Sequence, residues 1–114
     1  ATAELLDRIA ASGQGSFLVV LKQFGGLPSP GLLSFARPGT TLALDFPFLG
    51  DSTLSLLSDL DRGGMAAGGA GYPAKDARMP AAVFSSSFPR LAEFRRWVDP
   101  RFSSGLWRRV TGEG

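Results

Sequence analysis

Between Phe17 and Phe46 the chain sets short apolar runs against clusters of glycine and proline. That punctuation restricts this stretch to short strands joined by turns. Phe17-Leu18-Val19-Val20-Leu21 is apolar and partly β-branched and reads as a buried strand. Gly25 to Gly31, with two prolines, reads as a loop. Leu32–Ala36 predicts a second strand and Thr40–Phe46 a third. Arg37-Pro38-Gly39 between them is a turn signal, so these two are expected to form an antiparallel hairpin. In the third strand Thr41, Ala43 and Asp45 alternate with Leu42, Leu44 and Phe46, which gives it two chemically different faces.

Helical spacing flanks this region. Leu5, Leu6, Ile9 and Ala10 fall on one face of a helix over residues 3–11, with Glu4, Asp7 and Arg8 opposite and Ser12-Gly13 as its stop. Asp51-Ser52-Thr53 reads as an N-cap ahead of Leu54, Leu56, Leu57 and Leu60. Gly63 and Gly64 should weaken that helix, each by about 1 kcal/mol relative to alanine. Residues 72–80 carry two prolines and three charges and predict a loop or extended stretch. Pro80 suits the first turn of a short helix running to about Ser86. Pro89 suits the start of another, with Leu91, Phe94, Trp97 and Val98 on one face and Asp99-Pro100 as its end. The expected class is α+β: an antiparallel sheet of about three strands covered by helices, then a loop and a tail of short helices.

Composition removes several chemistries. The 114 residues fit one small domain and bury roughly two-thirds of their unfolded surface. At 44% hydrophobic and 19% charged, the chain is neither disordered-like nor membrane-like. It has no cysteine, so disulfides, thiolate metal sites and a cysteine nucleophile are excluded. It has no histidine, so the commonest general base and metal ligand are gone as well. Any chemistry falls to Lys, Arg, Tyr, Asp, Glu, Ser or Thr. A net charge of +2 is too small to imply a polyanion partner. No run approaches a membrane span. The first residue is not Met and the chain starts inside a helical pattern, which leads us to expect a piece of a longer protein or a processed product.

Three segments concentrate reactive side chains. Gly71-Tyr72-Pro73-Ala74-Lys75-Asp76-Ala77-Arg78 gathers a phenol, an amine, a carboxylate and a guanidinium after a glycine run. Such loops carry function or are simply solvated. Lys22 ends an apolar strand and either points into a cavity at the sheet's edge or snorkels to water. Arg95 to Ser103 with Leu106-Trp107-Arg108-Arg109 interleaves arginines and aromatics. That mixture suits a nucleic-acid backbone or an amphipathic helix that buries Phe94, Trp97 and Trp107. Glu93 and Asp99 dilute the charge and favour the second, so no nucleic-acid partner is expected.

Taken together, several stretches resemble the C-terminal region of FAD-linked oxidases of the vanillyl-alcohol-oxidase type. Within that group they are most similar to the flavin subunits of decaprenylphosphoryl-β-D-ribose 2′-epimerases. The carrying residues are Leu21-Lys22-Gln23-Phe24-Gly25, Gly39 to Pro47, Asp59-Leu60-Asp61-Arg62, Tyr72-Pro73-Ala74-Lys75-Asp76-Ala77-Arg78, Phe88-Pro89-Arg90, Val98-Asp99-Pro100 with Phe102-Ser103, and Arg108-Arg109. Their order and spacing hold over about residues 15–110.

The resemblance implies that residues 1–69 are the end of a substrate-binding cap domain. Residues 70–114 would then be a tail completing an FAD-binding domain, whose N-terminal part has no counterpart here. It implies FAD as cofactor and hydride transfer from a hydroxyl-bearing carbon of a sugar, a polyol or a polyprenyl-phosphoryl sugar. Lys75 and Tyr72 take the catalytic and cofactor-binding roles, and Lys22, Phe24 and Thr41 the substrate contacts. The hydroxyl proton passes to Lys75, Lys22 or Tyr72, a choice left open. Asp76 and Arg78 are expected as an ion pair that fixes the loop. Ala43 stands where some members carry cysteine, and Thr41 where they carry a larger amide. Gly63, Gly64 and Gly71 stand where relatives have bulkier residues. A cytoplasmic location fits the missing cysteines, and a lipid-linked substrate would draw the protein to a membrane surface. The competing expectation is a non-catalytic binding or scaffold module that keeps the fold without flavin.

Overall fold

A computed structural model describes residues 1–75 and 78–112, with Lys75 described by its backbone alone. Helix α1 spans Thr2–Ser12 and ends on Gly13, whose φ of 69° lets its N–H close onto the Ala10 carbonyl. Strand β1, Leu18–Phe24, pairs antiparallel with β2, Gly39–Asp45. Helix α2 spans Asp51–Ala66. A 3-10 turn at Pro73–Lys75 precedes three short helices, α3 (Ala81–Ser87), α4 (Leu91–Arg95) and α5 (Gly105–Thr111). The class is α+β, with a two-stranded sheet among the described residues.

The third strand expected at Leu32–Ala36 is absent: these residues are a turn followed by irregular backbone. The hairpin pairing therefore joins β2 to β1 and not to its nearest upstream neighbour. Seven matched residue pairs from Leu18↔Asp45 to Phe24↔Gly39 occupy that edge of β2. Pro28 and Pro30 lack the N–H groups a ladder needs. Gly39 opens β2 at a φ of 138°, a backbone state closed to residues with a Cβ. What reads as a turn signal is thus the entry to a strand. The sheet is also barer than expected, because Leu18, Val19 and Leu21 remain 53%, 54% and 62% exposed.

The chain forms two compact units. The first comprises residues 1–28 and 36–67. In it α1 packs on α2, and Leu5 lies so close to Gly63 that an added Cβ would stand 3.0 Å from its Cδ2. This packing carries the helix through Gly63 and Gly64 to Ala66, so the expected weakening does not end it. Gly50, with φ 78°, occupies the N-cap of α2 in place of the predicted Asp51-Ser52-Thr53. The buried Thr53 ties the helix start down differently. Its Oγ1 accepts from the Leu49 N–H at 3.0 Å and donates to Gln14 Oε1 at 2.9 Å. At the strand entry the Ser16 hydroxyl accepts from the Asp45 N–H at 2.9 Å and donates to the Leu18 carbonyl at 2.7 Å.

The second unit, residues 29–35 and 68–114, holds most of the buried core. Met79, Val83, Phe84, Phe88, Leu91 and Val110 are all buried, and α3 packs on α5. The Phe84 and Phe88 rings lie 4.9 Å apart. Gly71 is small for a packing reason: an added Cβ would stand 2.7 Å from Met79 Cε and 3.2 Å from Val83 Cγ1. Its N–H donates to the fully buried Ser87 Oγ at 2.9 Å. Arg109 donates to the Met79 carbonyl at 2.6 Å and so ties α5 to the start of α3. The Ser104 side chain caps α5 by accepting from the Trp107 N–H at 3.0 Å. Trp97 is 79% exposed, against the expectation that it joins the core. Helix α4 stops at Arg95, so Trp97 falls outside the helical period that turns Leu91 inward.

Candidate functional site

Strand periodicity decides what the first unit can present. Residues two apart in β1 share a face with their partners across the ladder. Lys22 lies directly opposite Thr41, and Phe24 follows two residues on, opposite Gly39. An ammonium, a hydroxyl and an aromatic ring therefore occupy one end of one sheet face. Opposed Cβ atoms in such a ladder stand about 4.5–5.5 Å apart. Lys22 is exposed, while Thr41 and Phe24 are half-buried. Leu18, Val20 and Ala43 continue that face as an apolar strip. The other face carries Val19, Leu21, Leu42 and Leu44, and at its end Thr40 donates to Gln23 Oε1 at 2.9 Å. The first face offers hydrogen-bonding groups at one end beside apolar surface.

The second unit carries the other two candidates. Tyr72 immediately precedes the 3-10 turn that Lys75 closes. The Tyr72 ring is 52% exposed and meets Phe35 edge-on, with centroids 5.2 Å apart at 65°. That contact orients the phenol and is invisible in the linear pattern, where Phe35 reads as a strand residue. The Lys75 side chain, Asp76 and Ala77 fall outside the described residues, and with them the expected Asp76–Arg78 pair. The five candidates thus divide by unit: Lys22, Phe24 and Thr41 in the first, Tyr72 and Lys75 in the second.

Pro73 fixes φ in a turn of three residues, so the backbone positions of the phenol and the amine are separated by one tight bend. Phe35 adds an aromatic surface beside the phenol.

Elsewhere several charges are paired locally. Arg8 holds Glu4 at 2.7 Å and lowers its carboxyl below the usual range through the hydrogen bond and its charge. Arg101 pairs with Asp99 at 2.6 Å and lowers its carboxyl through side-chain and backbone hydrogen bonds, and its own guanidinium is raised in return. Arg90 pairs with Glu93 at 2.9 Å, and Arg62 pairs with Asp59. Among the described residues no helix is long and apolar enough to cross a membrane.

No protein-family model matches the chain. Four curated proteins do, among them the following two. The decaprenylphosphoryl-β-D-ribose oxidase of Mycolicibacterium smegmatis is 41% identical over 108 residues, which cover 90% of this chain and 23% of that protein. An uncharacterised protein of Streptomyces coelicolor, named for its place in the mprA 5′ region, is 37% identical over 111 residues. Those cover 93% of this chain and 30% of that relative. The chain thus spans less than a third of either relative's length. Across nine-tenths of its own length it is related to the mycobacterial oxidase.

Proposed function

We propose that this chain is the C-terminal part of an FAD-dependent oxidoreductase that oxidises a hydroxyl group of a sugar, a sugar-lipid or a polyol. The observation that carries this reading is the 41% identity, over 90% of the chain, to an oxidase named for a phosphoryl-ribose lipid. The shared sheet face of Lys22, Phe24 and Thr41 supports it by offering matched polar and apolar contacts. The remaining length of the relatives would supply the rest of the flavin-binding domain, so that domain is the partner this reading requires.

When bound, a flavin supplies the hydride acceptor. The residues of this chain do the rest. Lys22 donates to substrate oxygens and holds the hydroxyl-bearing carbon in register, with Thr41 opposite as a second hydrogen-bonding group. Phe24 covers the apolar side of the ligand. Lys75 places positive charge where negative charge develops during the reaction, which lowers the barrier more than it tightens binding. The substrate's hydroxyl proton leaves to Lys75, Lys22 or Tyr72. A lipid-linked substrate would bring the protein to a membrane surface, and a free polyol would let it work in the cytoplasm.

Kinetics of a completed protein test the binding half of this proposal. The chain is joined to the N-terminal portion of the Mycolicibacterium smegmatis oxidase and assayed with sugar alcohols and lactols. Lys22→Ala is expected to raise KM about tenfold or more with a smaller change in kcat, because the lost contact is made before and during the reaction. Unchanged KM would remove Lys22 from the substrate site.

A further inference from the structure

Tyr72 is the chain's single tyrosine, and the second unit pins its backbone on both sides. Before it, the Gly71 N–H donates to Ser87 Oγ at 2.9 Å, and Ser87 is completely buried. Gly71 is also pressed onto the core. An added Cβ would stand 2.7 Å from Cε of the buried Met79 and 3.2 Å from Val83 Cγ1 in α3. After it, Pro73 fixes its own φ and opens the 3-10 turn. A proline also holds the residue before it away from helical backbone, and that residue is Tyr72.

A fixed backbone still leaves the ring three staggered χ1 wells. Tyr72 keeps 52% of its surface exposed, so burial alone does not choose among them. Its ring meets Phe35 edge-on, with centroids 5.2 Å apart and planes at 65°. Such a pair selects one relative orientation, because the positive edge of one ring seeks the negative face of the other. Phe35 is half-buried and ends residues 29–35, the stretch between the two strands that belongs to the second unit.

We infer that Phe35 is a positioning residue: it holds the Tyr72 ring in one orientation and, through that ring, sets the turnover of the completed protein. The effect on turnover rests on the role proposed above for Tyr72; the holding of the ring does not. A phenol that assists at a bound hydroxyl must stand within hydrogen-bond reach of it, about 2.6–3.2 Å. A ring spread evenly over three wells is in the productive one about a third of the time. Loss of Phe35 should therefore cost about three- to tenfold in kcat, the upper value including displacement within the well.

The 114-residue chain made with 3-fluorotyrosine carries one fluorine label, at Tyr72. Phe35→Leu keeps an apolar side chain and removes the ring. Its fluorine resonance is expected to move from that of the parent toward that of the urea-unfolded chain, with an unchanged far-ultraviolet circular dichroism spectrum. In the chain completed with the N-terminal portion of the Mycolicibacterium smegmatis oxidase, Phe35→Leu should lower kcat about three- to tenfold and change KM less than about twofold. Phe35→Tyr keeps a ring at the contact and should recover kcat to within about twofold of the parent. In a Tyr72→Leu background Phe35→Leu should lose nothing further, because its influence passes through that ring. Val110→Ala truncates another buried residue of the same unit and should lower the urea midpoint while keeping kcat within about twofold. The inference is overturned by an unmoved fluorine resonance, by an unchanged kcat in Phe35→Leu, or by an undiminished loss in the Tyr72→Leu background. An equal loss in Val110→Ala overturns it as well. A completed protein that turns over no hydroxylated sugar with Phe35 and Tyr72 intact would instead contradict the oxidoreductase reading, and the fluorine resonance would still decide whether Phe35 holds the ring.

Discussion

Replacing Phe88 by alanine is expected to destabilise the second unit by about 3–5 kcal/mol. Phe88 is 2% exposed, and its ring lies 4.9 Å from that of Phe84. Truncation removes the transfer energy of the ring and leaves a cavity that Met79 and Leu91, both buried, cannot fully fill. A unit of about fifty residues has only about 3–8 kcal/mol in total. The variant should therefore lose most of this unit's cooperative unfolding. Trp97→Ala is the matched control, since it removes a larger ring from a site that is 79% exposed. It should change stability by no more than about 0.5 kcal/mol. Urea unfolding followed by circular dichroism measures both. Equal losses would mean that the core does not lie among α3, α4 and α5 as described.

The second large effect belongs to the proposed chemistry. In the protein completed with a flavin domain, Lys75→Ala is expected to lower kcat by about 100- to 1,000-fold, the usual loss when a charge-stabilising donor is removed. KM should move far less, because the charge that Lys75 balances develops after the substrate is bound. Tyr72→Phe removes only a hydroxyl and keeps the ring that meets Phe35. It should cost less than Lys75→Ala unless the phenol is the proton acceptor, in which case the two losses become comparable. Steady-state kinetics with visible spectra of both variants separate lost turnover from lost flavin. A Lys75→Ala protein that keeps its flavin and its kcat would take Lys75 out of the mechanism.

Local signals in the sequence carried the helices well and the strand pairing poorly. The Leu5–Ile9 spacing located α1, and Gly13 stopped it, because both depend on neighbours within one helical turn. The pairing of β1 with β2 depends on residues about twenty apart, and no local pattern specifies it. Leu32–Ala36 has the composition of a strand, yet Phe35 settles against Tyr72 and all of the segment but Ala36 belongs to the second unit. Thr53 was legible as a helix-start residue, but its partner Gln14 lies 39 positions upstream. Trp97 shows the opposite failure: a helical period extended two residues past the helix's end buries a ring that is in fact exposed. Among the candidate site residues, alternation sufficed to put Lys22 and Phe24 on one face. Their meeting with Thr41 needed the register, and the Phe35 contact of Tyr72 needed the fold.

The most direct test of the oxidoreductase reading is the visible spectrum of the completed protein, recorded without oxygen before and after a sugar alcohol is added. A flavin spectrum that bleaches on addition, and bleaches far more slowly in Lys75→Ala, is the predicted result. A folded protein that carries no flavin, or one whose flavin stays oxidised with every hydroxylated sugar tried, would contradict it and leave a binding module in its place.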